Sequence, residues 1–115
     1  MQATLYHNPR CSKSRATLKL LRERKLDLQV IEYLKHPPSP RQPDRILSLL
    51  KMGPRDLMRR NEAPYRQLDL DDETLSRDAL IAAICAHPIL MQRPVLLADG
   101  KAAIGRPPEQ VLEIL

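Results

Sequence analysis

The sequence predicts an α/β fold, a four-stranded mixed sheet with flanking helices, and three observations predict it. Residues up to Tyr33 read as strand, helix, strand; Asp99-Gly100 sits between two short apolar segments near the C-terminus; and the stretch between these two ends has helical rather than strand-like patterning. A strand–helix–strand unit produces a parallel pair, whereas Asp-Gly between apolar segments produces an antiparallel hairpin, so one sheet holding both is mixed.

Thr4 to Tyr6 reads as the end of a first strand, Asn8-Pro9 as a breaker, and Ser12 to Lys25, with Leu18, Leu20 and Leu21, as an amphipathic helix. A second strand follows from Leu28 to Tyr33, where Val30, Ile31 and Tyr33 supply β-branched and aromatic character. These two strands pair in parallel across a right-handed crossover. His36-Pro37-Pro38-Ser39-Pro40 then stops the sheet, and Pro43 to Leu50, Gly53 to Arg60 and Asp78 to Ala86 read as short helices. The middle of the chain is thus expected to be a helical insertion over about residues 40–76, between the second and third strands, rather than a flexible tether. Pro94 to Ala98 and Lys101 to Ile104 are the two hairpin strands, and Pro107 opens a last helix to Leu115, proline being favoured in a first helical turn.

With 115 residues the chain is expected to be one domain with one core, residues 1–115. It has no Phe or Trp and three Tyr, so that core must be built from Leu, Ile, Val and Ala. The net charge is +5 and the pI near 9.6, yet the basic residues are scattered, Asp69-Leu70-Asp71-Asp72-Glu73 interrupts them, and no aromatics are interleaved for base stacking. Nucleic acid is therefore not an expected partner, and a basic surface suits a small anionic substrate instead. No apolar run approaches the ~20 residues that span a membrane, and the N-terminus lacks the layout of a signal peptide, which points to a cytoplasmic protein with no membrane partner. Two distant cysteines and three scattered histidines fit no metal-ligand spacing. In a reducing compartment a structural disulfide is not expected, and Cys85, within the apolar segment Ala79 to Ala86, reads as a buried core residue.

The chemistry concentrates in His7-Asn8-Pro9-Arg10-Cys11-Ser12-Lys13-Ser14-Arg15, which places a thiol where the first strand hands over to the first helix. At a helix N-terminus the unpaired N–H groups and the positive end of the macrodipole favour an anion, so the thiolate of Cys11 is stabilised over the thiol. Lys13 and Arg15 add positive charge close by, and a protonated His7 would add more.

These nine residues resemble the signature of the glutaredoxin-coupled arsenate reductases, in which a His-Asn-Pro-x-Cys-x-x-Ser-Arg segment carries the reactive thiol. Later blocks look similar too, in the same order: Met58-Arg59-Arg60-Asn61-Glu62-Ala63-Pro64-Tyr65, His87-Pro88-Ile89-Leu90-Met91-Gln92-Arg93-Pro94, and Gly105-Arg106-Pro107. The resemblance covers nearly the whole chain. It implies a thioredoxin-like fold with the helical insertion between the second and third strands, and a cis proline at Pro94 facing Cys11. It implies that Cys11 is the catalytic nucleophile and that Arg59, Arg93 and Arg106 bind arsenate and the arsenic intermediate. Guanidinium groups suit that task because they stay charged and offer planar pairs of donors. Arg60 adjoins Arg59 and is the competing choice; Arg59 is preferred as the first of the pair before Asn61. His7, Ser14 and Arg15 form the expected thiolate-supporting set, with His7 tuning the thiol or ordering the loop.

Ser14 stands where a dithiol motif would have its second cysteine, so Cys11 has no resolving partner in its own loop and electrons must come from outside. The family resemblance implies glutathione as co-substrate, glutaredoxin as protein partner, and no bound cofactor. Phosphate, similar in shape and charge to arsenate, is expected to bind without turning over. Arg10 and Lys13 make the loop more basic than the family pattern. Two further readings follow: a glutathione-linked thiol oxidoreductase of another substrate, and a redox-sensing regulator that binds RNA polymerase. Regulators of that kind carry Cys-x-x-Cys at this site, and Ser14 counts against the last reading.

Overall fold

The computed structural model describes residues 2–115. Four strands, β1 (Gln2–His7), β2 (Asp27–Glu32), β3 (Val95–Ala98) and β4 (Lys101–Ile104), form one sheet in the order β2-β1-β3-β4. β1 runs parallel to β2, with Leu5 opposite Val30, and antiparallel to β3, with Leu5 opposite Leu96; β3 pairs antiparallel with β4. The mixed sheet and the helical segment between β2 and β3 are as expected, and the architecture is thioredoxin-like.

The chain forms two compact units, one made of residues up to His36 together with Arg93–Leu115, the other of Pro37–Gln92. The first unit contains the whole sheet. Helix α1 (Ser12–Arg22) connects the parallel pair and buries Ser14, Thr17 and Leu21, with Leu18 partly buried beside them. That i, i+3, i+4, i+7 spacing is one helical face. Its core joins Ala3 and Leu5 of β1, Leu21 of α1, Leu96 and Ala98 of β3, Ala103 of β4 and Val111. Asp99 and Gly100 both adopt positive φ, 51° and 71°, which is the backbone a two-residue hairpin with right-handed strand twist requires.

In the second unit, α2 (Arg41–Leu50) buries Pro43, Ile46 and Leu47, and α4 (Arg77–Ala86) buries Leu80, Ile81 and Ile84. A short helix, α3 (Ala63–Gln67), lies between them in sequence, and its Tyr65 hydroxyl donates to Asp71 Oδ1 at 2.5 Å. Arg55 secures the following loop by donating from Nε to Leu70 O and from Nη2 to Asp72 O, at 2.8 and 2.7 Å. Leu57 to Arg59 runs antiparallel to Leu90 to Gln92: the Arg59 N–H donates to Leu90 O, the Gln92 N–H to Leu57 O, and Met58 faces Met91. Among the described residues no helix is long and apolar enough to cross a membrane.

Several boundaries differ from the sequence reading. α1 ends at Arg22 rather than Lys25, because the chain turns at Glu23 to Lys25 to bring Leu26 back against the core. The second strand ends at Glu32, one residue before the buried Tyr33. The helix expected over Gly53 to Arg60 is a single 3-10 turn, Pro54–Leu57: the Asp56 carboxylate accepts from the Gly53 N–H, and Met58 is already extended so that it can pair with Met91. α3, which periodicity does not reveal in so short a segment, follows Glu62 with Pro64 in its first turn. The last segment is a 3-10 helix, Pro108–Ile114, with Pro107 extended ahead of it. Cys85 is half-buried rather than buried, because it lies beside the Leu80, Ile81 and Ile84 stripe of α4 instead of within it.

Candidate active site

The thiol loop is built by its own backbone. β1 ends at His7, the Arg10 N–H donates to Asn8 Oδ1 at 3.0 Å and the Cys11 N–H to Asn8 O at 3.0 Å, so Asn8 folds the next three residues over itself. Cys11 is the N-cap of α1, with extended backbone (φ −94°, ψ 124°), and its carbonyl accepts the first helical bond, from the Arg15 N–H at 3.0 Å. Arg15 is exposed and closes the loop from outside, donating from Nη1 to Pro9 O at 2.9 Å. The loop is thus secured on both flanks while Cys11 stays partly exposed.

Partial burial alone would raise the Cys11 pKa, but the N–H groups of Ser14 and Lys13 and the guanidinium of Arg93 act on the sulfur and hold the thiol below its ordinary value. These are the open N–H groups of a first helical turn, joined by a cation from the start of the hairpin. Arg93 is placed by its neighbour: Pro94 is buried and accepts the Gly105 N–H at 2.9 Å. Both Arg93–Pro94 and Arg106–Pro107 are cis peptides; the first is the one the resemblance implies. The Nε and Nη1 atoms of Arg93 are buried with no hydrogen-bond partner in the protein. Arg106 Nη1 donates to Arg93 O at 3.3 Å, which ties the ends of β3 and β4 that carry the two arginines.

His7 does not supply the positive charge that a protonated imidazole would. Its ring is buried, its Nδ1 lies 2.7 Å from Ser14 Oγ, and burial pushes its pKa down, with Glu32 opposing and Arg22 and Arg15 reinforcing the shift. Ser14 is fully buried and its hydroxyl also accepts the Asn8 N–H at 3.0 Å. His7 and Ser14 therefore brace the loop as neutral groups, one end in β1 and the other in α1.

Of the residues singled out from sequence, Cys11, His7, Ser14, Arg15, Arg93 and Arg106 all belong to the unit that holds the sheet, and Arg59 belongs to the Pro37–Gln92 unit. Arg59 is half-buried and its Nη1 donates to Glu62 Oε1 at 2.9 Å, whereas Arg60 is exposed and only loosely approaches Asp56, at 3.8 Å. Two residues outside that set take part. Asn8 shapes the thiol loop, which the Asn-Pro turn signal marks; Glu62 pairs with Arg59, which the three-residue spacing between opposite charges marks.

A model of the ArsC family matches residues 6–114, from the end of β1 to the last turn. An uncharacterized protein of Escherichia coli K12, YfgD, is 50% identical over 115 residues, covering 99% of this chain and 97% of its own length. An arsenate reductase of Neisseria meningitidis serogroup A is 46% identical over 112 residues, 96% of either chain. Among solved structures, an arsenate reductase from Vibrio cholerae superposes with a TM-score of 0.95 at 48% identity, covering 100% of this chain and 98% of that one. Because the likeness runs unbroken from the thiol loop through the helical insertion to the Gly105-Arg106-Pro107 turn, this chain belongs to the ArsC family.

Proposed function

We propose that the protein is an arsenate reductase that uses glutathione and glutaredoxin. The Cys11 thiolate attacks the arsenic of arsenate, a sulfur–arsenic bond forms, and one oxygen leaves as hydroxide and is protonated to water. Arg93, Arg106 and Arg59 balance the charge of the oxyanion during this step. The sulfur of glutathione then attacks the Cys11 sulfur; the sulfur–arsenic bond breaks with its electron pair passing to arsenic. Arsenic(V) thus becomes arsenic(III), and Cys11 is left in a mixed disulfide. Glutaredoxin takes the glutathione by thiol–disulfide exchange and returns Cys11 as a thiolate. Ser14, occupying the place of a resolving cysteine, makes the external thiol necessary. The cycle suits a reducing compartment such as the cytoplasm.

The observation that carries this reading is Arg93. Its guanidinium acts on the Cys11 sulfur while two of its buried nitrogens lack acceptors. Buried unpaired donors cost about 1–3 kcal/mol each, more when charged, and a bound oxyanion would remove that cost at the position where the thiolate must attack. The arsenate reductases among the relatives support the choice of substrate.

The test is turnover with arsenate, glutathione, glutaredoxin and NADPH-linked glutathione reductase. NADPH oxidation that requires arsenate and vanishes in Cys11→Ser supports the proposal, and Arg59→Ala should lower kcat/KM strongly. Absence of arsenate-dependent turnover in a wild-type protein whose Cys11 still forms a glutathione mixed disulfide would sink it in favour of another glutathione-linked oxidoreduction.

A further inference from the structure

Arg59 is held at both ends. Its backbone N–H donates to Leu90 O at 2.6 Å, inside the short pairing that also joins the Gln92 N–H to Leu57 O. Its side chain is held by Glu62, whose Oε1 accepts from Nη1 at 2.9 Å. The acceptor is brought there locally, since the Glu62 N–H donates to Arg59 O at 3.2 Å and closes a turn that sets residues 59 and 62 side by side. This pair differs from the other ion pairs among the described residues. Its two side chains are only 19% and 24% exposed, whereas Arg77–Asp44, at the same 2.9 Å, is 43% and 58% exposed. Lys35–Glu32 and Arg60–Asp56 are both 3.8 Å apart and more exposed than Arg59–Glu62. Exposed pairs exchange freely with water and constrain little; a short, shielded one restricts the guanidinium.

We propose that Glu62 is a positioning residue for Arg59, fixing the guanidinium so that its remaining donors meet the tetrahedral oxyanion. This rests on the reading of Arg59 as an oxyanion ligand. Glu62 engages one nitrogen of the fork and leaves the other donors outside that contact. The arginine's rotamer freedom is restricted before substrate arrives, so the effect belongs to binding rather than to the chemical step. A carboxylate paired with an anion-binding arginine also opposes an incoming anion, and the two effects have opposite signs. Positioning requires an acceptor at this place but not a charge, so the amide variant separates them.

The experiment is steady-state kinetics of Glu62→Ala and Glu62→Gln, with phosphate inhibition and ¹⁵N relaxation of the Arg59 Nε–H group. Glu62→Ala should raise the arsenate KM and the phosphate inhibition constant about 3- to 10-fold, with kcat within about twofold of wild type. Glu62→Gln, which keeps an oxygen acceptor, should have a KM at or below wild type. Arg59 Nε–H should become mobile in the alanine variant alone. An arsenate KM in Glu62→Ala that is unchanged or lower overturns the proposal, as does an Arg59 side chain that stays equally ordered. If Arg59→Ala itself leaves kcat/KM for arsenate unchanged, the oxyanion reading of Arg59 is what fails. The relaxation data then still report whether Glu62 holds that side chain.

Discussion

The Nδ1 atom of His7 lies 2.7 Å from the Ser14 hydroxyl, and this contact joins the last residue of β1 to the first turn of α1 across the thiol loop. Both residues are buried, at 5% and 0% exposure, and the same hydroxyl accepts the Asn8 N–H. A single oxygen thus satisfies two buried groups that the loop brings together. Ser14→Ala leaves both without a partner, and we expect a loss of about 1–3 kcal/mol in urea unfolding. A change within the error of the titration would mean that water or a shift of the loop replaces the hydroxyl.

Stability should rise with pH on account of two groups. Burial holds His7 below its ordinary value of 6.5, so protons bind the unfolded chain more readily. Its contribution is fully present above that value and is lost as pH falls through the lower folded value. Cys11 has the same sign at higher pH. Its thiol is held below the ordinary value of 9.0 in the fold, so its contribution is present above 9.0 and is lost as pH falls through the folded value. Urea titrations should show His7→Gln flattening the slope below pH 6.5 and Cys11→Ser the slope below pH 9.0. A wild-type curve with neither slope would contradict both assignments.

Gly105 governs how closely the hairpin approaches α1. A Cβ there would stand 2.7 Å from both Pro94 Cγ and Thr17 Oγ1. Neither neighbour recoils easily: Thr17 Oγ1 donates to Lys13 O at 2.8 Å, and Pro94 is buried and accepts the Gly105 N–H. Gly105→Ala should cost about 1–3 kcal/mol by overpacking. Because Pro94 follows Arg93, it should also move the ultraviolet titration of the Cys11 thiolate to higher pH, in the direction of Arg93→Ala. A destabilised variant with an unmoved titration would separate the packing role of Gly105 from the placement of Arg93.

Much of this was legible wherever the determinant is local. Asn8-Pro9 ahead of Cys11 marks the loop, Leu18 and Leu21 mark the buried face of α1, and Asp99-Gly100 marks a hairpin whose two central residues do adopt positive φ. The family blocks pointed to Arg93 together with Arg59 and Arg106, and of these three it is Arg93 whose guanidinium acts on the sulfur. The charge state of His7 was not legible, because it depends on how much water the folded loop excludes. Glu62 escaped for another reason: a carboxylate three residues from an arginine is common on surfaces, and only the shielding of this pair sets it apart.

The sequence by itself determined the order of the strands, the mixed sheet and the position of the thiol at a helix N-terminus, since each follows from backbone preferences and apolar spacing over a few neighbouring residues. Tertiary structure decided where elements stop and which polar groups remain unsatisfied. Met58 pairs with Met91 and so leaves its predicted helix; α1 ends early so that Leu26 can reach the core; and two nitrogens of Arg93 are buried without acceptors. These outcomes depend on partners distant in the chain and on the exclusion of water, and neither is encoded in any short stretch of residues.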